Sequence, residues 1–178
     1  YKLNASKGSI VENFCGARED FRDPEGRVFI AGTRDLKWKN IEMLKSAFQI
    51  AQDETKKKGF EAIEFDTTKA IYENFQERMR RAYAVMLTSL GDASPSIVFD
   101  AIRVGTPFIV TKENGIADRV KDCAIFVDPK NEKDIVEKIV WISDPNNRAI
   151  QAEKVRKFAW VHTWEQIGKE IISLYERI

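Results

Sequence analysis

Two carboxylates eight residues apart, Asp92 and Asp100, flank a Ser-Pro-Ser turn in the stretch DASPSIVFDAIRVGTPFIVTKENG, residues 92–115. Carboxylates placed there can accept hydrogen bonds from ligand hydroxyls, move protons, or simply favour a helix start. Ser94 followed by Pro95 reads as an N-cap and a first helical residue, so a helix is expected to begin there. Its free backbone N–H groups, around Ser96 and Ile97, then offer themselves to an anion. Asp100 falls about a turn and a half inside that helix, and Asp92 lies in the loop ahead of it. Amides for phosphate and carboxylates for hydroxyls suit one ligand carrying both groups, such as a sugar nucleotide. For Asp92, plain helix stabilisation explains the residue equally well. Asp100 has apolar neighbours, Phe99, Ala101 and Ile102, which imply partial burial, where an unpaired acid is costly.

A second candidate loop is AGTRDLKWKN, residues 31–40. Gly32 allows a tight turn, and Arg34, Lys37 and Lys39 put three cations between a strand end and a helix start. Arg adds bidentate donors for phosphate oxygens at a helix N-terminus that already favours anions. A solvated basic loop is the competing explanation. A third loop, TKENGIADRV, turns at Asn114 and Gly115 into a helix whose amides could face the same place. Trp141, Trp160 and Trp164 read as helix-packing residues.

The elements that position these loops alternate. Five short, nearly continuous apolar runs, RVFIAG, EAIEF, AVMLT, PFIVT and CAIFV, look like strands covered on both faces. Between them, helical spacing aligns Ile41, Leu44, Phe48 and Ala51, then Ile71, Phe75, Met79 and Ala82. Further faces are Ile97, Val98, Ala101 and Ile102, then Ile135, Val136, Ile139 and Val140. Ile150, Val155 and Phe158 mark another helix, and Trp164, Ile167, Ile171, Leu174 and Ile178 a last one. Lys56, Lys57 and Lys58 close the first helix, where cations suit the dipole. The expectation is an α/β, Rossmann-like doubly wound parallel sheet of about five strands with flanking helices. Ligands of such sheets bind beyond the carboxyl ends of the strands. That marks the loops after Gly32, Thr88 and Thr111.

Composition narrows the classes. The 178 residues suffice for one well-buried domain, here residues 25–178, with residues 1–24 as a linker or N-terminal segment. Because the chain starts at Tyr1, without an initiator Met, it reads as a piece of something longer. A net charge of +1 offers no global field for nucleic acid or an anionic membrane. No apolar run approaches membrane-spanning length. Cys15 and Cys123 fit neither a disulfide framework nor metal spacing, and the single His162 cannot build a zinc site, so no metal is expected. Cys123, opening CAIFV, should be a buried reduced thiol, which suits the cytoplasm.

The segment LTSLGDASPSIVFDAIRVGTPFIVTKENGIADRV resembles the donor-binding signature of the family 4 retaining glycosyltransferases, which have the two-Rossmann-domain GT-B fold. Asp92 and Asp100 stand where that family usually has two glutamates. VFIAGTRDLKWKN is similar to the family's diphosphate-binding segment, with Arg34 and Lys39 at its basic positions. FVDPKNEKDIVEKI and FAWVHTWEQIGKEIISLYERI resemble its closing helices. The resemblance covers nearly all of residues 27–178. It departs at both aspartates, each a methylene shorter, and at residues 52–74, where the family usually has a further strand and helix supplying part of the base pocket.

The resemblance implies the C-terminal, donor-binding half of a hexosyltransferase that takes a nucleotide-diphosphate sugar and transfers with retention. Arg34 and Lys39 would neutralise the diphosphate, and Ser94 and the Ser96 and Ile97 amides would contact donor phosphate or sugar. Asp92 would bind the transferred sugar and Asp100 the ribose, with Asp92, Arg34 and Lys39 as the catalytic set. No metal or other cofactor is needed, since cations and helix dipoles supply that electrostatic work. The implied partners are the sugar nucleotide, a missing N-terminal acceptor-binding domain, and a glycan or lipid-linked acceptor; nucleic acid is not among them. The implied location is cytoplasmic, or peripheral to a membrane through the missing domain. Alone, the fragment should bind donor and transfer little. A degenerate, non-catalytic binding or interaction domain is the alternative. A response-regulator-like domain ranks below both, since it needs acids after the first strand, where this chain is basic.

Overall fold

The computed structural model describes residues 15–32 and 36–176. The five expected strands form: β1 (Val28–Ala31), β2 (Glu64–Asp66), β3 (Ala84–Leu87), β4 (Phe108–Thr111) and β5 (Ile125–Val127). They build one sheet in the order β2-β1-β3-β4-β5, with every pair parallel. Among the described residues seven α-helices surround it: α1 (Ile41–Lys57), α2 (Tyr72–Arg81), α3 (Ser96–Val104), α4 (Ala117–Val120), α5 (Glu132–Ser143), α6 (Pro145–Lys157) and α7 (Trp164–Tyr175).

Alternation along the strands divides the core into two layers. Phe29, Ala31, Ala84, Met86 and Ile109 point to the α1 and α5 side, where Leu44, Phe48, Ile135 and Ile139 meet them. Ile30, Val85, Leu87, Phe108 and Val110 point to the other side, against Met79 of α2, Val98 to Ile102 of α3 and Val155 of α6. Each such Leu, Ile or Phe contributes about 1.5–3 kcal/mol by leaving water. β2 departs from expectation. It is an edge strand with no residue fully buried: Glu64 is exposed, and Phe65 is only partly buried against the core.

Helix ends follow local chemistry. Asn131 caps α5, Asp144 caps α6 with Pro145 in its first turn, and Thr163 and Gln166 form a capping box on α7. α3 differs from the sequence reading: it starts at Ser96, with Pro95 as an extended N-cap, so Ser94 is not the cap. Some apolar expectations fail on exposure. Ile71 and Ile150 face solvent, and so do Trp141 and Trp164, so only Trp160 of the three indoles packs inward, 5.0 Å from Phe99. On α7 only Ile167 is buried, while Ile171, Ile172 and Tyr175 are exposed. Periodicity specifies an apolar stripe but not what covers it. Ile178 lies outside the described residues.

Ahead of β1, a strap crosses the α2–α3 side. Cys15 and His162 exchange two backbone hydrogen bonds of 2.9 Å, and the Glu19 and Glu25 amides donate to the Arg103 and Arg81 carbonyls at 3.0 Å. Phe21 closes over Gly105, where any β-carbon would fall 2.1 Å from its ring and φ is +72°. Both cysteines are free and buried. Burial pushes the Cys15 thiol up to about 11 and the Cys123 thiol to about 12, as suits small inert core residues. No helix among the described residues is long and apolar enough to cross a membrane.

Candidate functional site

In the order β2-β1-β3-β4-β5 the chain reverses its direction of growth between β1 and β3, and a crevice must open there beyond the strand ends. A cleft of about 610 Å³ occupies that place. Its floor is Gly32 after β1 and Leu87 ending β3, and Lys39, Asp92, Ser94, Ser96, Ile97 and Asp100 all line it. Arg34 lies outside the described residues.

The basic loop reaches the cleft through one turn of 3-10 helix, Lys37–Lys39, closed by Asn40 in the left-handed region at φ 58°. A non-glycine residue there needs compensation. The Asn40 amide supplies it, donating to the Thr88 carbonyl at 3.2 Å and the Pro129 carbonyl at 2.7 Å, so the ends of β1, β3 and β5 are tied at one point. Lys39 thereby meets Asp92: Nζ donates to Oδ2 at 2.8 Å, with side chains 14% and 12% exposed. The same ammonium sits 4.1 Å from the centroid of the Trp38 ring, which lines the cleft and is 43% exposed. Gly32 is used for closeness rather than for a left-handed turn, since a β-carbon would meet Ile97 Cδ1 at 3.3 Å.

The third loop does not line the cleft; it braces the Asp92 loop. The Asp92 amide donates to the Glu113 carbonyl and the Gly115 amide to the Asp92 carbonyl, both at 2.9 Å. Gly115 is obligatory, because a β-carbon would stand 2.1 Å from the Ala93 carbonyl oxygen. At the start of α3, Val98 is the first amide bonded back to Pro95, and the Ser96 and Ile97 amides precede any intrahelical acceptor.

The family model for glycosyl transferases group 1 matches residues 11–158. The chain belongs to that family. Solved structures agree on the fold. The lipopolysaccharide outer core galactosyltransferase WaaB, apo form, has 16% identity and a TM-score of 0.65, over 99% of this chain and 58% of that one. The C-terminal domain of a group 1 family protein (LpcC) from Francisella tularensis has 15% identity and a TM-score of 0.61, over 82% of this chain and 93% of that one. Anabaena HepE, solved with UDP and glucose, has 16% identity and a TM-score of 0.61, over 85% and 48%. Sucrose-phosphate synthase from Thermosynechococcus elongatus is covered over only 45% of its length, and comparison with curated proteins gives no match. The likeness is to the C-terminal domain of GT-B glycosyltransferases.

In this glycosyltransferase-family domain the second carboxylate sits differently from the first. Asp100 Oδ1 accepts from the Tyr72 hydroxyl at 3.0 Å and from Gln76 Nε2 at 3.2 Å, both on α2. Burial pushes its carboxyl above the ordinary range, against the lowering pull of Tyr72, Arg103 and Gln76. Sequence reasoning missed the contribution of α2 and the loop before it: Thr68, Lys69, Ala70, Tyr72 and Phe75 form a further wall. That loop is stiff. The Thr68 amide donates to Asp66 at 2.8 Å, and Arg78 pairs with Asp66 while donating to the Thr68 carbonyl at 2.7 Å. Burial raises Asp66, but the Thr68 and Arg78 donors outweigh it and hold the carboxyl below its usual value. The signal available was topological: the loop after β2 shares a rim with the loops after β1 and β3. Among the described residues no three acids, histidines or cysteines gather as a metal site.

Proposed function

We propose that this chain is the donor-binding half of a retaining hexosyltransferase, with residues 25–178 holding a nucleotide-diphosphate sugar and residues 1–24 leading into them. The reading is carried by one observation: Lys39, the first amides of α3, Asp92 and Asp100 open onto one cleft at the β1/β3 switch point. Lys39, with Arg34 from the same loop, neutralises the diphosphate, and the Ser96 and Ile97 amides bind its oxygens or the sugar beside Ser94. Asp92 accepts hydroxyls of the transferred hexose, and Asp100 those of the ribose. In transfer the bond from the anomeric carbon to the diphosphate oxygen breaks. The acceptor hydroxyl oxygen bonds that carbon on the same face, its proton passes to the departing diphosphate oxygen, and the nucleoside diphosphate leaves with its remaining charge held by Lys39 and Arg34. Leaving-group stabilisation by fixed cations requires no metal.

The acceptor, a glycan or lipid-linked sugar, binds to a further domain, and the whole protein works in the cytoplasm or against a membrane surface. HepE, of the same fold, was solved with UDP and glucose, which supports a nucleotide-sugar site but not a base for this chain. The test is thermal stabilisation by UDP, ADP and GDP at millimolar concentration. A rise with at least one nucleotide, lost in the Arg34→Ala, Lys39→Ala double variant, is expected; no rise with any of them rejects the reading.

One observation favours a second reading, a degenerate interaction domain that takes no donor: Lys39 and Asp92 already neutralise each other at 2.8 Å. Restoring glutamate at positions 92 and 100 separates the two. Changed donor affinity supports the donor half, whereas no binding in either form supports a degenerate interaction domain.

A further inference from the structure

Behind Asp100 the wall of the cleft is an alternating chain of charge. Arg103, on the same helix, places Nη2 3.6 Å from Asp100 Oδ1, beyond hydrogen-bonding distance. Its other terminal nitrogen donates instead to Glu19 Oε1 at 2.5 Å. The second oxygen of Glu19 takes Arg80 Nε at 2.6 Å, and Arg80 also reaches Glu77 at 3.2 Å. Glu19 belongs to the strap, fixed at this point by its own amide on the Arg103 carbonyl. One acid from the strap therefore holds α2 and α3 together and captures the guanidinium nearest Asp100.

Asp100 is left with neutral donors, Tyr72 and Gln76, and every contact it makes among the described residues falls on Oδ1. A guanidinium free to turn toward it would form a two-pronged pair, occupying both oxygens in a charge-assisted geometry. Ligand hydroxyls would then compete with that pair. The Arg103 side chain is 19% exposed, so a guanidinium deprived of Glu19 has a strong incentive to find the next carboxylate, and Asp100 is 3.6 Å away.

We infer that Glu19 is a positioning residue for Asp100: by holding Arg103 it keeps the cleft carboxylate open to ligand hydroxyls, so binding there requires the strap to be docked. This rests on the donor reading above and deepens it. A segment just ahead of the sheet, which lines no part of the cleft, thereby gains control over the sugar end of the nucleotide.

The test uses the 178-residue chain, calorimetric titration, and whichever of UDP, ADP and GDP binds best, beside its 2′,3′-dideoxy analogue. The wild type should prefer the ribose form by about tenfold, the worth of one or two hydrogen bonds. Glu19→Gln should cut the preference to about twofold while the dideoxy affinity stays within a factor of about two. Adding Arg103→Gln to Glu19→Gln should restore it, and Arg103→Gln alone should leave it intact. A merely structural strap would lower both affinities together and give no rescue, which would overturn the inference. So would a full ribose preference in Glu19→Gln, or none in the wild type. If the wild type binds no nucleotide at all, the donor reading falls first and this inference with it.

Discussion

The two aspartates of the cleft have the same side chain and opposite surroundings. Asp92 is neutralised by Lys39 at 2.8 Å, and its backbone is stitched on both sides to the Glu113–Gly115 turn. Asp100 has a cation within reach, but that cation is committed to Glu19, and its own hydrogen bonds come from uncharged donors. The first arrangement fixes position at the expense of free charge; the second keeps charge available and accepts the burial penalty. Similar carboxylates along one signature thus separate into a braced end and a receptive end. What separates them is long-range packing, not their own spacing.

The braced end should break most severely. Lys39→Ala removes the partner of a mostly buried acid, and about 3 kcal/mol of stability should go with it, alongside most of the diphosphate affinity. Urea unfolding and nucleotide titration measure the two losses separately; a variant of unchanged stability would show that Asp92 is solvated rather than braced. Gly115→Ala should come next, at about 1–3 kcal/mol, since its β-carbon must displace the Ala93 carbonyl that the Asp92 loop is built on. If that variant unfolds at the wild-type urea concentration, the third loop is not a brace.

The sheet was legible because its middle strands are apolar on both faces: Phe29, Val85, Met86 and Ile109 admit few other uses. The signature loop was legible too, since Lys39, Asp92, the α3 amides and Asp100 do share a cleft. The helix start beside it was misplaced by one residue, because Pro95 serves as either a cap or a first residue and local sequence cannot choose. The α2 wall was missed because TTKAIYENF carries neither a glycine turn nor a cluster of cations. The links that decide the electrostatics were out of reach altogether. Asn40 to Pro129 spans 89 residues and Glu19 to Arg103 spans 84, and no periodicity reports such pairs. The apolar stripe of α7 is legible as periodicity, but periodicity does not show that only Ile167 of it is buried.

The receptive end should respond with the opposite sign. Asp100→Asn keeps an acceptor for Tyr72 and Gln76 while removing the buried charge. Because folding raises the carboxyl's pKa, the ionised acid penalises the fold above that pKa, and the penalty is relieved as pH falls through it. Asp100→Asn should therefore be slightly more stable than wild type near pH 7.5, with the gap closing in acid, while its ribose preference is lost. Urea unfolding at pH 7.5 and 4.5 checks this. A less stable variant at pH 7.5 would mean that the pull of Arg103 outweighs burial, and the contrast between the two ends would narrow.

The smallest effect is expected where the two ends meet. Trp38 lends its ring to the Lys39 ammonium, and its exposed part lines the cleft. Removing the ring in Trp38→Ala should weaken nucleoside diphosphate binding by about two- to fivefold, the value of one partly exposed cation–π contact. Trp38→Phe should recover most of that loss, because a phenyl face still attracts the ammonium, though less than an indole. Bound nucleotide should also change the intrinsic fluorescence of the wild type and not that of Trp38→Phe, since the other indoles, Trp141, Trp160 and Trp164, lie off the cleft. A fluorescence response that survives in Trp38→Phe would put the nucleotide against another wall, most directly the α2 side at Tyr72, and would shift the diphosphate away from Lys39.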